Sequence, residues 1–373
     1  MRGAGVTAGA LAGVLAGALP SLSGCSFDAG NDAGNSAYAD AARQTWRTAD
    51  TTPLAPTALM AELVRCATLA PSSHNTQCWK FRVDPNTITI LPDLSRRCPA
   101  VDPDDHHLFV SLGCAAENLC QAAQAHGLRA HPQFDAAAGG SVRIALEAAP
   151  AVASPLFGAI TRRQSTRAVF DGQALPQPAL ALLEQAATAY GVRVLMLTDR
   201  PSIERVLELV VQANTAQMGD AAFVDELKAW IRFSDDEAVR TGDGLFTRSS
   251  GNPALPRWLA SPLFRFVFTT AGENDKYAAH IRSSAGIAVF TSGANDKAHW
   301  VDAGRSFERF ALQAAALGIR TAFVNQPVEV AALRPQFASA LGLGGLRPDL
   351  VVRFGKGPEL PRSLRRPVAA VWL

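Results

Sequence analysis

A short stretch in the first quarter of the chain brings several uncharged hydrogen-bonding side chains together. Ser72, Ser73, Asn75 and Gln77 lie within six residues of one another and offer hydroxyl and amide groups. Such groups suit the edge of a flat heterocycle with alternating carbonyls and ring nitrogens, which charge alone cannot hold. The same residue types are typical of an Asn/Ser-rich turn that caps the next element. Taken alone, the stretch leaves both interpretations open.

A second stretch combines arginines with hydroxyl groups, which is the chemistry of a phosphate site. Arg162, Arg163 and Arg167 occur within six residues, with Ser165 and Thr166 between them. Guanidinium groups give bidentate, charge-assisted hydrogen bonds to phosphate, and hydroxyls add donors. If the segment is helical, Arg163 and Arg167 share one face. The alternative is a solvated basic turn that pairs with nearby acids.

The first stretch also resembles a family signature. An apolar helix ends at Pro71, and the sequence A-P-S-S-H-N-x-Q-x-W then runs from Ala70 to Trp79. It resembles the flavin-contacting signature of the nitroreductase superfamily, although Cys78 stands where the family usually has proline. The resemblance implies an FMN cofactor whose isoalloxazine ring contacts Ser72, Ser73 and Asn75.

The arginine stretch fits the same resemblance. Its residues are similar to the Arg-Arg-x-Ser/Thr-x-Arg pattern that holds the FMN phosphate and ribityl chain in this family, which implies that role for Arg162, Arg163, Ser165 and Arg167. Single-domain members carry this pattern before the Ser-Ser-x-Asn motif, whereas here it follows. The order implies one flavin per chain, held between two parts of the same polypeptide.

Two later segments complete the implied site. By resemblance, Asn325 and Gln326 stand where family members place a backbone amide against flavin N5. Arg362 stands at the position of a C-terminal lysine ligand, with Arg366 or Arg365 as a second cation; the alternative is a basic exposed tail. Because His74 lies inside the motif, a proton donor and a packed residue are both open for it. No residue is assigned a catalytic role.

An internal repeat predicts the architecture. Residues 112–130 align without gaps with residues 303–321, and they share a glycine, a glutamate and a closing Gly-x-Arg. We therefore expect an α+β, nitroreductase-like fold of two fused homologous halves, each a mixed or antiparallel sheet flanked by helices. Such a pair would reproduce the family's dimer within one chain, and it resembles the two-domain Acg-like branch.

Residue patterns place the remaining elements. Residues 79–91 predict a hairpin, and residues 234–282 have weak periodicity and many aromatics, so they are expected to form a lid over the flavin or a helical substrate wall. The closing VAAVWL is expected to be an apolar strand. Further helices are predicted at 108–127, 178–190 and 203–231, and further strands at 192–198, 286–291, 320–327 and 350–354.

The N-terminal region is predicted to be processed. Residues 1–24 have a basic end, an apolar run and a small-residue cleavage site, which is typical of a secretory signal peptide; the alternative is Ala/Gly-rich disorder. Leu-Ser-Gly-Cys resembles a lipoprotein box that would make Cys25 the lipidated residue, and an upstream start would give a twin-arginine signal. Residues 25–54 then form a flexible tether, 55–158 the first half and 159–373 the second half.

Composition narrows the possible classes of function. The net charge of +2 gives no reason to expect nucleic-acid binding. The adjacent pair His106-His107 lies beside carboxylates, but neighbouring residues face different sides of a helix, so we expect no metal site. The five remaining cysteines are expected to be buried small hydrophobes: Cys66, Cys78, Cys98, Cys114 and Cys120.

Together these features predict an exported FMN-dependent oxidoreductase that passes electrons from NAD(P)H through FMN to a nitroaromatic-like or quinone-like acceptor. The alternative is a lid-covered FMN-binding or flavin-storing protein of the Acg type without turnover. A solute-binding lipoprotein would leave the arginine stretch unexplained. The expected partners are a small electron acceptor and, through the lipid, a membrane; the chain is expected to be a monomer with dimer-like halves or a weak homodimer.

Overall fold

The computed structural model describes residues 28–373. The predicted signal segment and the predicted lipidation site at Cys25 lie outside the described residues. Within the described part of the chain, no helix combines the length and apolar character needed to cross a bilayer.

Helix α1 (Asp28–Thr45) occupies most of the segment that was predicted to be a flexible tether. Tyr38 on this helix is 5% exposed, and its hydroxyl donates to the carbonyl of Arg362. Trp46 follows the helix and donates from Nε1 to the carbonyl of Ser363 at 3.0 Å. Two aromatic side chains thus hold this polar, Ala-rich segment against the C-terminal part of the chain. The average composition of the segment does not reveal them, so it predicted a flexible tether.

The first half is a four-stranded antiparallel sheet on which one long helix packs. Pro71 lies shortly after the end of the first of its two helices, as the sequence predicts. On the first strand, the buried Trp79 and Phe81 alternate with more exposed residues. Its elements are α2 (Pro56–Thr68), β1 (Trp79–Asp84), β2 (Thr87–Pro92), α3 (His106–Ala125), β3 (Leu128–Asp135) and β4 (Ser141–Ala148).

The remaining elements follow in chain order. These are α4 (Pro155–Ala159), α5 (Gln177–Ala187), β5 (Arg193–Leu197), α6 (Arg200–Gly219), α7 (Ala221–Trp230), β6 (Ile231–Arg232), α8 (Asp235–Thr241), β7 (Leu245–Phe246), α9 (Arg257–Val267), α10 (Thr270–Arg282), β8 (Gly286–Ser292), α11 (Lys297–Ala316), β9 (Arg320–Phe323), α12 (Gln326–Glu329), α13 (Arg334–Ala340) and β10 (Arg347–Gly355). Helix α4 spans the predicted boundary between the halves, and the others lie in the second half.

The two sheets repeat the same connectivity. The first has the order β1-β2-β4-β3 and the second the order β5-β8-β10-β9, and all neighbouring strands in both are antiparallel. In each half the long helix lies between the second and third strands, and α3 packs against α11 at the centre of a shared core. The repeated order supports the predicted duplication and the α+β fold of two fused halves.

Helices α6 to α10 form an insertion in the second half. They lie between β5 and β8, where the first half has only the tight turn of the β1–β2 hairpin. Residues 234–282 are therefore largely helical, and they form part of a longer insertion than the sequence suggested. Helical structure is compatible with both a lid and a substrate wall, so both alternatives for the segment stay predictions.

The C-terminal residues do not form the strand that their apolar pattern predicts. Val368–Ala370 is a short 3-10 helix, and only a single bridge joins Trp372 to Phe81. Backbone hydrogen bonds from Phe81 to Val371 and from Leu373 to Phe81, both 2.8 Å, hold the end against β1. Pro367 fixes the backbone just before this segment and has no N–H to donate, so pairing begins late.

Candidate active site

A central cavity of about 430 Å³ lies where the two halves and the insertion meet. It falls within the range of roughly 300–1,000 Å³ that is usual for small-molecule sites. Its wall contains Ser72 and Ser73 from the first half, Arg167 and Arg353 from the second half, and aromatic residues of the insertion. Side chains from both sequence motifs thus share one cavity.

The Ser/Asn motif is held in an unusual backbone conformation. His74, Asn75 and Gln77 have positive φ values of 48°, 52° and 54°, and the Ser72 hydroxyl accepts a hydrogen bond from the Gln77 amide at 2.9 Å. Left-handed conformations cost energy for residues other than glycine. The turn directs Ser72, Ser73 and His74 to the cavity wall.

Asn75 and Gln77 do not line the cavity; they connect chain segments. The Asn75 amide donates to the carbonyls of Gly244 and Leu364 at 3.0 and 3.2 Å. The Gln77 side-chain amide donates from Nε2 to the carbonyl of Gly242 at 2.8 Å, and its Oε1 accepts from the backbone N–H of Arg366 at 2.8 Å. These two residues therefore connect distant segments and do not cap the next element, and Asn75 is not part of the cavity wall.

The arginine stretch is not helical, so its cations do not share a face. The Thr166 amide donates to the carbonyl of Thr321 at 2.8 Å, and Ser165 forms a bridge to the same residue, which keeps the segment extended. Arg162 is exposed and donates to the carbonyl of Gly158 at 3.0 Å. Neither Arg162 nor Ser165 lines the cavity.

Arg163 is a buried structural cation. Its Nε lies 3.1 Å from Oε1 of Glu308, and its guanidinium donates to the carbonyl of Leu69 at 2.7 Å. The Glu308 contact is an ion pair without hydrogen-bond geometry, because neither carboxylate oxygen accepts a hydrogen bond from any described residue. Burial raises the pKa of Glu308 to about 7, and Arg163 opposes that rise. Arg163 therefore joins the halves and does not face the cavity.

Arg167 is the cation of this stretch that reaches the cavity. Among residues 28–373 it has no hydrogen-bond or ion-pair partner, and burial lowers its pKa. Arg353 lies beside it, 1% exposed, and donates to the carbonyls of Thr166 and Ala168 at 2.9 and 2.8 Å. Burial and the neighbouring Arg167 lower the pKa of Arg353 to about 9. Two crowded guanidinium groups without a described counter-ion form a site for an anion.

Helix α10 adds further polar groups to this end of the cavity. Lys276, Glu273 and His280 line it, and the Lys276 ammonium lies 3.7 Å from Glu273. Burial, together with Arg353 and Lys276, lowers the pKa of His280 to about 4. His280 is therefore neutral near pH 7 and adds no positive charge.

Asn325 and Gln326 line the cavity, as the resemblance implied. The Asn325 side-chain oxygen accepts from the Val351 amide at 2.8 Å, and its amide group lies 3.4 Å from Nε2 of His107. Oε1 of Gln326 is buried without a hydrogen-bond partner among the described residues. Because Gln326 is the first residue of α12, its N–H has no acceptor within that helix.

The insertion supplies an apolar end. Phe233 and Phe264, 5% and 9% exposed, pack edge to face with ring centroids 6.2 Å apart. Phe264 stacks on Phe268 at 4.7 Å, and Leu227 and Leu263 complete this part of the wall. The cavity thus has a cationic part and an aromatic part, which suits a ligand with an anionic group and a flat or apolar body.

The C-terminal arginines are clamps on backbone carbonyls. Arg362 donates to the carbonyls of Thr161 and Arg162, the second at 3.2 Å. Arg366 donates to the carbonyl of Gln77 at 2.7 Å. Neither side chain lines the cavity, in contrast to the phosphate contact that the resemblance implied.

Arg365 has a related role at the end of α2. It donates to the carbonyls of Thr68, Leu69 and Ala70 at 2.8, 3.2 and 3.0 Å. The last carbonyls of a helix lack intrahelical donors and carry partial negative charge, which explains why a buried guanidinium is found there. Burial lowers the pKa of Arg365 to about 9.

Neither sequence motif contains Arg353, Lys276 or His280, which all line the cavity. Arg353 did leave a signal, because it is a single charge inside the apolar run of strand β10. A charged residue in a buried strand needs a partner or a ligand. The α10 residues left no such signal, since their helix carries many polar residues.

The free cysteines are buried, apart from the half-buried Cys120, and burial raises the pKa of the thiols, to about 12 for Cys66.

His74 is neutral near pH 7, because burial and Arg167 lower its pKa to about 4. Of the two alternatives for His74, the packed residue agrees with this environment better than the proton donor.

Comparisons with known proteins agree with the sequence motifs. The model of the Nitroreductase family matches residues 41–98. A Mycobacterium tuberculosis protein named "Putative NAD(P)H nitroreductase Rv3131" is 27% identical over 322 residues, which cover 82% of this chain and 88% of that protein. "Putative NAD(P)H nitroreductase acg" of the same organism is 22% identical over 339 residues, covering 83% of this chain and 93% of that protein.

Solved structures of nitroreductases are similar over about half of the chain. The FMN-dependent nitroreductase NfnB of Mycobacterium smegmatis in complex with NADPH is 15% identical, covers 53% of this chain and 86% of its own, and has a TM-score of 0.37. A nitroreductase with bound FMN from Desulfitobacterium hafniense is 14% identical, covers 57% of this chain and 94% of its own, and has a TM-score of 0.35. The chain is thus similar in sequence to two proteins named as putative nitroreductases along most of its length, and residues 41–98 match the Nitroreductase family model.

Proposed function

We propose that this protein is an FMN-dependent oxidoreductase of the nitroreductase type. The observation that carries the proposal is the pair Arg167 and Arg353, which has no described counter-ion and lies in the cavity that Ser72 and Ser73 also line. Cationic groups beside an aromatic wall and uncharged hydrogen-bonding residues fit a phosphorylated flat heterocycle. The resemblance of both motifs to the flavin-binding signatures, together with the family-model match at residues 41–98, supports FMN as that heterocycle.

The described residues fit FMN in separate parts of the cavity. Arg167 and Arg353 would hold the phosphate, and Ser72 and Ser73 would bond the ring edge. The unpartnered Oε1 of Gln326 fits an N–H donor of the ligand. Bound FMN would supply hydride transfer between a reduced donor and an acceptor. The chain itself binds and orients the ring, offsets the phosphate charge and restricts access of water.

The first test is the absorbance spectrum of the purified protein after addition of FMN and removal of free FMN. We expect retained flavin near one per chain, since one cavity combines both motifs. A folded protein that retains no flavin would overturn the proposal. An acceptor such as a nitroaromatic or quinone should then reoxidise the reduced protein.

A second candidate, flavin binding without turnover, is favoured by the insertion. Phe233 and Phe264 place an aromatic wall on the cavity, and that wall would act as a lid over the exposed face of the ring. The two candidates differ in how bound flavin is reduced under anaerobic conditions. Reduction by NADPH supports the oxidoreductase, whereas reduction by dithionite alone supports the lid-covered binding protein.

The cellular location belongs to the same proposal. The N-terminal pattern supports export and lipid attachment at Cys25. Outside the cytoplasm NADPH is not expected, so the donor there would be a different reductant. Mass spectrometry of the mature N-terminus tests this: a lipid-modified Cys25 supports it, and an unprocessed Met1 contradicts it.

A further inference from the structure

Three potential metal ligands from three separate elements converge at the edge of the central cavity. His74 comes from the Ser/Asn motif, Cys98 from the loop before α3 and Glu226 from α7. One ligand atom of each lies within 4.8 Å of the others. Together they offer an imidazole nitrogen, a sulfur and a carboxylate oxygen, the donor set that zinc takes in proteins.

His74 is free to act as a ligand. Its Nδ1 is buried and has no hydrogen-bond partner among the described residues. An unpaired buried ring nitrogen costs free energy unless something occupies it. The left-handed backbone at His74, with φ of 48°, adds a second cost at the same residue. A bound cation would offset the first of these costs directly.

Glu226 holds the loop that carries the thiol. Its two carboxylate oxygens accept from the backbone amides of Ala100 and Val101 at 2.9 and 3.1 Å. Each carboxylate oxygen has a second lone pair, so these bonds leave capacity for a cation. Cys98 is thereby fixed near the Glu226 carboxylate, 4% exposed and unpaired with another cysteine.

The surrounding charge favours a cation at the thiol. Glu226 brings a carboxylate oxygen into the same cluster as the thiol. A divalent ion there would be offset by the thiolate and by Glu226.

We propose that His74, Cys98 and Glu226 bind a divalent transition-metal ion of the zinc type in the cavity wall. On binding, the S–H bond of Cys98 breaks, a metal–sulfur bond forms and one proton is released to solvent, with no change of oxidation state. Three protein ligands leave the fourth tetrahedral position for water or for a cavity ligand. His74 and Val101 line the cavity, which places the ion beside the space that a substrate would enter.

A second cluster of similar residue types does not support the same inference. Asp102, His106 and His107 are also close together, but a positive charge already lies against this cluster. Nε2 of His106 lies 3.0 Å from the Arg347 guanidinium, so a cation there would meet a positive charge.

The test uses the full protein, stripped by a chelator and free of flavin, titrated with Co²⁺ and separately with Zn²⁺. We expect a thiolate-to-cobalt charge-transfer band, one ion per chain and release of one proton per ion. Cys98→Ser should abolish the band and weaken Zn²⁺ binding on the order of a hundredfold. The loss of a direct ligand should cost at least as much as the loss of a residue that only hydrogen-bonds to a ligand. His74→Asn should weaken binding similarly, and asparagine tolerates the left-handed backbone.

Two matched variants serve as controls. Cys120→Ser removes a thiol outside the cluster, and His106→Gln removes the imidazole of the second cluster; both should bind Zn²⁺ like the unmodified protein. The proposal is overturned if the folded protein shows no charge-transfer band, or if Cys98→Ser binds as tightly as the parent. It is also overturned if His106→Gln abolishes binding while His74→Asn does not. Because no flavin is present, the outcome is independent of the proposed oxidoreductase function.

Discussion

Gly113 and Gly304 make the same contact from opposite sides of the α3–α11 interface. A Cβ added to Gly113 would lie 2.0 Å from the carbonyl oxygen of Val301, and one added to Gly304 would lie 2.0 Å from the carbonyl oxygen of Val110. The gapless alignment pairs Gly113 with Gly304 and, extended by two residues, Val110 with Val301. Such reciprocity is the signature of a two-fold interface. The fused halves therefore pack as two subunits of a dimer would.

The first prediction concerns this contact. Gly304→Ala should lower the free energy of unfolding by about 3 kcal/mol, the upper part of the usual range for overpacking, because backbone cannot move aside as a side chain can. The measurement is a denaturant midpoint at constant slope. Gly293→Ala is the matched control, since its Cβ would meet no atom within 4 Å. Equal midpoints for the two variants would show that the helices separate without cost.

The second prediction separates the arginines of the phosphate-like stretch. Arg167→Ala should weaken FMN binding by roughly 1.5–3 kcal/mol, as for a lost charged hydrogen bond. It should not reduce the stability of the flavin-free protein, because Arg167 is a cation without a described partner. Flavin titration and a thermal melt measure the two effects.

Arg162→Ala is the control for this prediction, since Arg162 is exposed and lies outside the cavity. Arg162→Ala should change neither the FMN affinity nor the stability of the flavin-free protein. Equal loss of FMN affinity in both variants would contradict a phosphate site in the cavity. It would support the sequence-based prediction, in which Arg162 also binds the phosphate.

The overall architecture was predictable from the sequence because it depends on local patterns and on a repeat. The β1–β2 hairpin, the helix α3 and the strands β8 and β10 follow from periodicity and turn residues. The matching helices indicated two homologous halves. The helices α6 and α7 of the insertion were also predicted, whereas the boundaries of α8 to α10 were not, because the periodicity of residues 234–282 is weak.

The site was predictable only in part, because the partners of its charged residues come from distant parts of the chain. Residue spacing could not show that Glu308 would take Arg163 or that Thr321 would hold the stretch extended. Nor could it show that the last carbonyls of α2 would take Arg365. Arginine types and spacing predicted an anion site, and the tertiary contacts leave Arg167 as the arginine of the stretch that lines the cavity together with Arg353.

The third prediction is a pH dependence. Burial raises the pKa of Glu308 to about 7 from its ordinary value of 4.5. Between pH 4.5 and 7 the folded state thus keeps a proton that the unfolded chain releases, so this residue lowers the free energy of unfolding as pH rises through that window. Glu308→Gln removes the titration. The stability of the variant relative to the parent should rise between pH 5 and pH 8, on the order of 2 kcal/mol.

Urea unfolding at several pH values measures this difference. A Glu308→Gln variant whose relative stability stays constant, or falls, between pH 5 and 8 would mean that Glu308 is ionised throughout and fully paired with Arg163.

The fourth prediction decides whether Asn75 serves the fold or the ligand. Its amide donates two buried hydrogen bonds, to Gly244 and Leu364, and its φ is 52°. Asn75→Gly should lose about 2 kcal/mol of stability from the two bonds, and Asn75→Ala about 1 kcal/mol more from left-handed strain. Denaturant unfolding of both variants measures the two contributions separately.

The ligand side of the fourth prediction uses Ser73 as the comparison. Ser73 lines the cavity whereas Asn75 does not, so Ser73→Ala should weaken FMN binding and Asn75→Gly should not, when both are titrated well below their melting temperatures. The reverse order of affinities, with Asn75→Gly as stable as the parent, would show that the Asn75 amide leaves Gly244 and Leu364 to contact the flavin. The motif would then act as the family resemblance implies, and its two buried hydrogen bonds would belong to the flavin-free form.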